Sequence, residues 1–286
     1  MAAPASSTPF QPYVYQSEQS AAATAFQIFG FEAQVLQIML KPQEKIQAKS
    51  GSMCYTSGSI QAEVNVPQEN AGVGVLQWMM GRPDTSTTFT NAGSEDGYIG
   101  LGAPSLARIL PIDLAVFGGE IICQREAFLG SVNDVTVKHL TPRRVRVGYF
   151  GADVGGLLTQ KLVGQGLAFI TAGGSVLQKK LSRGELLVVD IGCLVAMTSA
   201  VECEIKQASP AARRAFFGGE CPFQAHLTGP GVVFIQSLPS QRLAHKIART
   251  ISAPHFRDNP RFFISAGVFL FLAYAMIFAS LLLAEP

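Results

Sequence analysis

One nine-residue motif occurs twice in this chain and ties two distant segments to one backbone shape. Leu162-Val163-Gly164-Gln165-Gly166-Leu167-Ala168-Phe169-Ile170 returns as Leu227-Thr228-Gly229-Pro230-Gly231-Val232-Val233-Phe234-Ile235, with its Leu, both Gly, Phe and Ile in register. Gly155-Gly156 precedes the first copy as Gly218-Gly219 precedes the second, at a slightly different spacing. A shorter element, a Leu, a short turn, a Glu and an apolar run, occurs three times. Its copies are Leu40…Glu44-Lys45-Ile46, Leu114…Gly119-Glu120-Ile121 and Leu181…Gly184-Glu185-Leu186. The glutamates lie 76 and 65 residues apart, which is too far for a solenoid of short copies and points to a large repeated β unit. Gly164, Gly166, Gly229 and Gly231 are read as structural: they serve turns with positive φ or let two backbones approach, rather than contacting a ligand.

The residues between the motifs support an all-β reading. Val35–Leu40, Ile60–Val66, Val132–Val137, Leu167–Thr171, Leu186–Ile191 and Val201–Ile205 are short runs rich in β-branched and aliphatic residues, most bounded by Gly, Pro, Ser or Asn. Ala172-Gly173-Gly174-Ser175 between two such runs reads as a hairpin turn. Leu157–Val163 and Val73–Met80 are the only short candidates for helix in this region. The chain has 28 Gly and 16 Pro but only 15% charged residues, a balance that suits many short strands and tight turns. Residues 1–25, rich in Ala, Ser, Pro, Thr and Gln, are expected to form a flexible arm.

The C-terminal end has a different character. Phe262 to Ala284 is a stretch of 23 residues without a charge, followed only by Glu285 and Pro286. As a helix rising about 1.5 Å per residue it would measure roughly 35 Å, enough to cross a hydrocarbon core of about 30 Å with some tilt. Asn259 and Pro260 suit its cap and first turn. The expectation is a tail-anchored, single-pass protein with residues 1–261 on the side of synthesis, facing the cytosol, because Lys and Arg gather on the untranslocated side. Arg242, Lys246, Arg249, Arg257 and Arg261 are the candidate membrane-surface residues. Residues 239–261 form a basic segment in which Leu243, Ala244, Ile247, Ala248 and Ile251 recur at helical spacing, able to rest on anionic headgroups or to pack on the β domain. Ala275 and Ala279 would permit close helix contact within the anchor.

Little in the chain suggests catalysis. His139, His226, His245 and His255 are too widely spaced for a two-imidazole metal motif, and the five cysteines show no C-x-x-C pair. A phosphate-binding loop and a G-x-S-x-G elbow are both missing. Glu44, Glu120 and Glu185 recur beside turns, where the expected task is to bond backbone amides; Asp113 and Asp190 share that reading. Trp78 is read as a core or interface anchor. An enzyme would need Glu120, Glu185 and His226 around one cavity. No cofactor or metal is expected. With a net charge of +2, nucleic acid is not an expected partner, and the cluster Lys138, His139, Arg143, Arg144 and Arg146 reads as a solvated loop.

The order of motifs resembles a known family. Leu40-Lys41-Pro42-Gln43-Glu44…Gly51-Ser52-Met53 is similar to its "L-x-P-G-E…G-x-M" opening, with Gln43 where the pattern has glycine. Gly166 to Leu177 and Arg183 to Asp190 resemble its centre, and Leu227 to Ser237 its closing motif. Over roughly residues 30–238 the chain resembles the altered-inheritance-of-mitochondria, number twenty-four, family. The resemblance implies a β-sandwich of the short double-stranded β-helix kind, classed with the tryptophan RNA-binding attenuation protein, and assembly into a ring-like oligomer. It also implies a link to mitochondrial membrane organisation and no established enzymatic activity. The absence of Arg before Lys41 argues against an ordinary mitochondrial presequence, and the endoplasmic reticulum and chloroplast remain alternatives.

The expected organisation is therefore an arm at 1–25, a repeated β domain at 26–238, a basic segment at 239–261 and a transmembrane helix at 262–284. The expected function is a non-catalytic scaffold that binds membrane lipids, further copies of itself and membrane proteins. The alternative is a β-barrel module that holds a small apolar ligand or lipid.

Overall fold

The computed structural model describes residues 9–13, 25–65, 86–103, 105–139, 160–207, 223–240, 242–244, 247 and 267–277. Two short strands, β1 (Gln11–Pro12) and β2 (Phe26–Phe29), precede three runs of six. The first run is β3 (Val35–Leu40), β4 (Lys45–Lys49), β5 (Met53–Thr56), β6 (Ile60–Asn65), β7 (Ser86–Asn91) and β8 (Gly97–Gly102). The second is β9 (Ala107–Asp113), β10 (Glu120–Cys123), β11 (Phe128–Val132), β12 (Val135–His139), β13 (Gln160–Gly164) and β14 (Leu167–Gly173). The third is β15 (Val176–Leu181), β16 (Leu186–Asp190), β17 (Leu194–Thr198), β18 (Glu202–Gln207), β19 (Phe223–Thr228) and β20 (Gly231–Gln236). The all-β expectation holds.

One wiring rule generates the sheets. In every run the first, sixth and third strands lie side by side in one sheet, and the second, fifth and fourth lie side by side in another. Consecutive runs share a sheet, because the second strand of one pairs antiparallel with the third strand of the next: β4 with β11, and β10 with β17. The result is a first sheet β2-β3-β8-β5, a second β6-β7-β4-β11-β14-β9, a third β1-β15-β20-β17-β10-β13-β12 and a fourth β16-β19-β18. The three Leu…Glu elements found in the sequence are the crossings between sheets, from β3 to β4, β9 to β10 and β15 to β16.

Three apolar cores match the three runs. The first joins Leu36, Ile38, Ile46 and Ile99 with Phe169 of the second run. The second joins Ile112, Ile121, Leu162 and Ile170 with Phe234 of the third run. The third core, around Leu181, Val189, Leu227 and Val233, holds no aromatic ring from a following run among the described residues. β14 accordingly faces two cores at once: Leu167 and Phe169 point into the first, Ala168, Ile170 and Ala172 into the second, and every residue of the strand is buried. A strand covered on both faces must be apolar throughout, which is how Leu167-Ala-Phe-Ile reads.

The same irregularity marks the third strand of each run. A bulge falls between Met53 and Tyr55, between Phe128 and Gly130, and between Leu194 and Ala196. The residue after each bulge faces the sixth strand, giving the pairs Tyr55–Gly100, Gly130–Phe169 and Ala196–Phe234. Each pair holds one ring and one small residue. At Gly100 an added Cβ would run into the Tyr55 ring.

Several local expectations change. Val132–Val137 is not one strand: Asn133, at φ 61°, turns the chain between β11 and β12. Asn tolerates that left-handed conformation because its short polar side chain bonds locally. The candidate helix at 157–163 is a strand from Gln160 on, since burial alternates with period two there. Ala172 to Ser175 is not a hairpin turn. β14 pairs with β9 and β11, β15 with β1 and β20, so this turn carries the chain between sheets. Its Gly173 lies so close to the Leu238 carbonyl that a side chain would collide with it. Within the expected N-terminal arm, β1 pairs with β15 and the Tyr13 ring stacks edge-on against Phe234, 5.3 Å between centroids. The candidate helix at 73–80, Trp78 and both Gly-Gly pairs lie outside the described residues.

Phe169 and Phe234 are fully buried, so truncating either leaves a cavity between two runs. Phe169→Ala is expected to lower unfolding free energy by about 3–5 kcal/mol, measured by denaturant titration of the β domain.

Candidate functional site

The recurring glutamates do two different things. Glu44 Oε2 accepts from the Lys41 N–H at 2.9 Å, and Glu185 Oε2 accepts from the Ser182 N–H at 2.9 Å. Each closes its own turn from three residues away, the expected backbone-bonding task. Glu120 instead pairs with Lys161 Nζ on the neighbouring β13, at 2.7 Å. Asp113 and Asp190 behave alike: each accepts from the N–H two residues on, Ala115 at 3.0 Å and Gly192 at 2.9 Å, shaping the turn after its strand.

Glu185 also holds Lys179 Nζ at 2.9 Å, with side chains only 15% and 6% exposed. The ammonium lies 5.1 Å from the Phe10 ring centroid, so the N-terminal segment covers this pair. Sequence reasoning missed Lys179. A lysine in the mixed run Val176–Leu181, where burial does not alternate, gives no sign of an inward partner, although Glu185 four residues past the strand's end was visible. The Lys179 ammonium, followed by the Ser182 N–H, holds the Glu185 carboxyl below its usual 4.5; Lys161, followed by the Ser199 hydroxyl, does the same for Glu120.

The hypothetical catalytic trio is not assembled around a shared partner. Glu120 opens β10 and Glu185 closes the turn before β16, in different runs and each on its own lysine. His226 is on β19 in the fourth sheet, between Val188 of β16 and Glu204 of β18. Among the described residues, no group of three or more His, Cys, Asp or Glu could hold a metal ion. Burial alone pushes the Cys123 thiol up to about 12 and the Cys203 thiol to about 11, whereas Cys54 is exposed on β5.

The four repeat glycines are sites of close approach. A side chain at Gly164 would collide with the Asp134 carbonyl, one at Gly229 with the Ser182 carbonyl, and one at Gly166 with the Val132 carbonyl. At Gly231, φ is 151° and Thr198 Oγ1 and Val201 Cγ2 would lie only 2.5 Å from an added Cβ.

Residues 241–286 form a second compact unit. Arg242 is helical and half-buried there, and Lys246, Arg249, Arg257 and Arg261 lie outside the described residues. Residues 267–277 are helical, without a charge, and exposed at every position. No helix among the described residues is long and apolar enough to cross a membrane. The described helix covers only the middle of the expected 262–284 anchor, and at 1.5 Å per residue spans roughly 16 Å.

Three six-strand units, joined strand to strand and stacked core to core, define an all-β repeat protein. The sequence matches the mitochondrial biogenesis AIM24 family over residues 26–238, and the chain belongs to that family. Among solved structures it is similar to protein SPYM3_0169 from Streptococcus pyogenes, known from an X-ray crystal structure. The two are 19% identical with a TM-score of 0.63, over 79% of this chain and 99% of that one, a likeness of fold. No curated protein matches the sequence.

Two measurements test this electrostatic and thiol picture. Glu120 and Glu185 bind protons less readily folded than unfolded, so their contribution is complete above the usual carboxylate range and is lost as pH falls below 4.5. Denaturant midpoints should therefore drop from pH 7 to pH 3.5, and Glu185→Gln should flatten that slope while lowering the midpoint at pH 7. In a native-state titration with a thiol reagent, Cys123 should label only after unfolding.

Proposed function

We propose that this protein is a non-catalytic, membrane-tethered scaffold that works in mitochondrial membrane organisation. The observation that carries the reading is the helix at 267–277, uncharged along its length and exposed on every side. A helix apolar all round is unstable in water and suits a lipid or protein surround. The uncharged sequence continues on both sides of it, to Phe262 and Ala284, long enough to serve as a single-pass anchor. Arg242, Lys246, Arg249, Arg257 and Arg261 then face anionic headgroups, each contributing on the order of 1 kcal/mol. Family membership supports the mitochondrial setting.

The β units supply the scaffold and self-associate. Their repeated wiring supports classing them with the short double-stranded β-helices of the tryptophan RNA-binding attenuation protein type. Partners on this reading are membrane lipids, membrane proteins and further copies of the chain.

Full-length protein tagged at its N-terminus should colocalise with a mitochondrial marker and remain in the membrane pellet after alkaline carbonate extraction. Deletion of residues 262–284 should release it into the supernatant. Full-length protein found soluble, or a deleted chain that still pellets, would refute the tether.

A further inference from the structure

The wiring rule leaves one junction unmade. Inside the chain the second strand of each run pairs with the third strand of the next, at β4–β11 and β10–β17. Among the described residues, the second strand of the last run, β16, and the third strand of the first run, β5, are each the edge of a sheet. Their internal counterparts β11 and β17 are buried at every residue, whereas Met53, Cys54 and Tyr55 on β5 are exposed. On β16, Leu186 is 60% and Val188 46% exposed. Yet Leu186-Leu-Val-Val189 is apolar throughout, the pattern of a strand covered on both faces.

A second observation points to the same place. Phe169 and Phe234 each enter the core of the preceding run. Among the described residues, the third core has no such ring. The equivalent surface of the first run carries Tyr55 over Gly100, with Tyr98 beside it at 6.2 Å, and both tyrosines stand about two-fifths exposed. One end of the molecule thus lacks an aromatic insert, and the other end presents one uncovered.

The geometry points to head-to-tail assembly in which β16 of one chain pairs antiparallel with β5 of a second copy, so that Tyr55 enters the third core. It rests on the self-association proposed above and names its interface. The internal junctions fix the register. Gly130 faces Ala48 and Ser131 faces Gln47; Ala196 faces Cys123 and Met197 faces Ile122. Tyr55 takes the place of Gly130 and Ala196 after its bulge. Leu187, opposite Leu227, takes the place of Ile46 opposite Phe89 and of Ile121 opposite Leu162. Tyr55 therefore faces Val189, and Thr56 faces Val188. Such a contact is heterologous: repeated identically, it closes into a ring or extends as a filament.

The test uses full-length protein in detergent micelles with Cys54 replaced by Ser. Chains carrying Thr56→Cys are mixed with chains carrying Val188→Cys and oxidised. Directly facing positions lie about 4.5–5.5 Å apart at Cα, within disulfide reach. A disulfide-linked dimer is expected in the mixture at several times its level in either variant alone. In parallel, Val188→Lys, at an exposed edge that tolerates charge, should reduce the assembled mass in sedimentation to that of one chain. No excess of dimer in the mixture, or unchanged assembly of Val188→Lys, would overturn the proposal. If Val188→Lys stays assembled and still pellets with membranes, the scaffold reading survives and this interface alone is wrong.

Discussion

The whole β domain depends on strands that are buried on both faces. β14 and β20 each contribute to their own run's core and push a phenylalanine into the preceding one. Phe169 and Phe234 are the contacts through which three similar units become one cooperative body. Large aromatic rings buried completely supply much of a core's free energy, so their position between units makes the units interdependent. Local links reinforce the same joints. Gln124 Nε2 donates to the Leu194 carbonyl, the Gly173 N–H donates to Gln236 Oε1 at 2.8 Å, and Lys49 pairs with Glu126 across the first joint at 2.9 Å.

Much of this was legible in the residues. The motif around Phe169 and Phe234 is the passage from the fifth strand to the sixth, and the three glutamate elements are the crossings between sheets. A third copy of the longer motif went unread. Gly97-Tyr98-Ile99-Gly100-Leu101 occupies the same place in the first run, but Gly100 stands where the other copies have phenylalanine. A longer turn, where Asn91 bonds the Leu40 and Glu95 carbonyls, also replaces the Gly-x-Gly step. The misread hairpin at Gly173-Gly174 has a related cause. Two adjacent strands flanking a Gly-rich turn look alike whether they pair or part, and only the apolar character of Leu167–Ala172 on both faces hints that they part.

The functional surfaces were less legible, for a physical reason. Catalytic sites announce themselves through convergent polar groups, and the polar groups here converge on turns. The carboxylates of Glu44 and Glu185 are occupied with backbone amides, and Glu120 and Glu185 with lysines. What distinguishes this chain is instead apolar area facing outward, on β5, on β16 and on the helix at 267–277. Composition counts such residues as core, because hydropathy records what a side chain prefers and not whether the fold grants it cover.

The pairs Tyr55–Gly100, Gly130–Phe169 and Ala196–Phe234 conserve a sum rather than a residue. The ring stands on the third strand in one unit and on the sixth in the other two, and the facing position shrinks to compensate. A ring placed on both strands would overfill the joint, and a small residue on both would empty it. Exchange of the ring between strands therefore requires two coordinated substitutions, each harmful alone. In the language of sequence divergence, these positions are coupled across a joint, so aligning the three units column by column understates how alike they are.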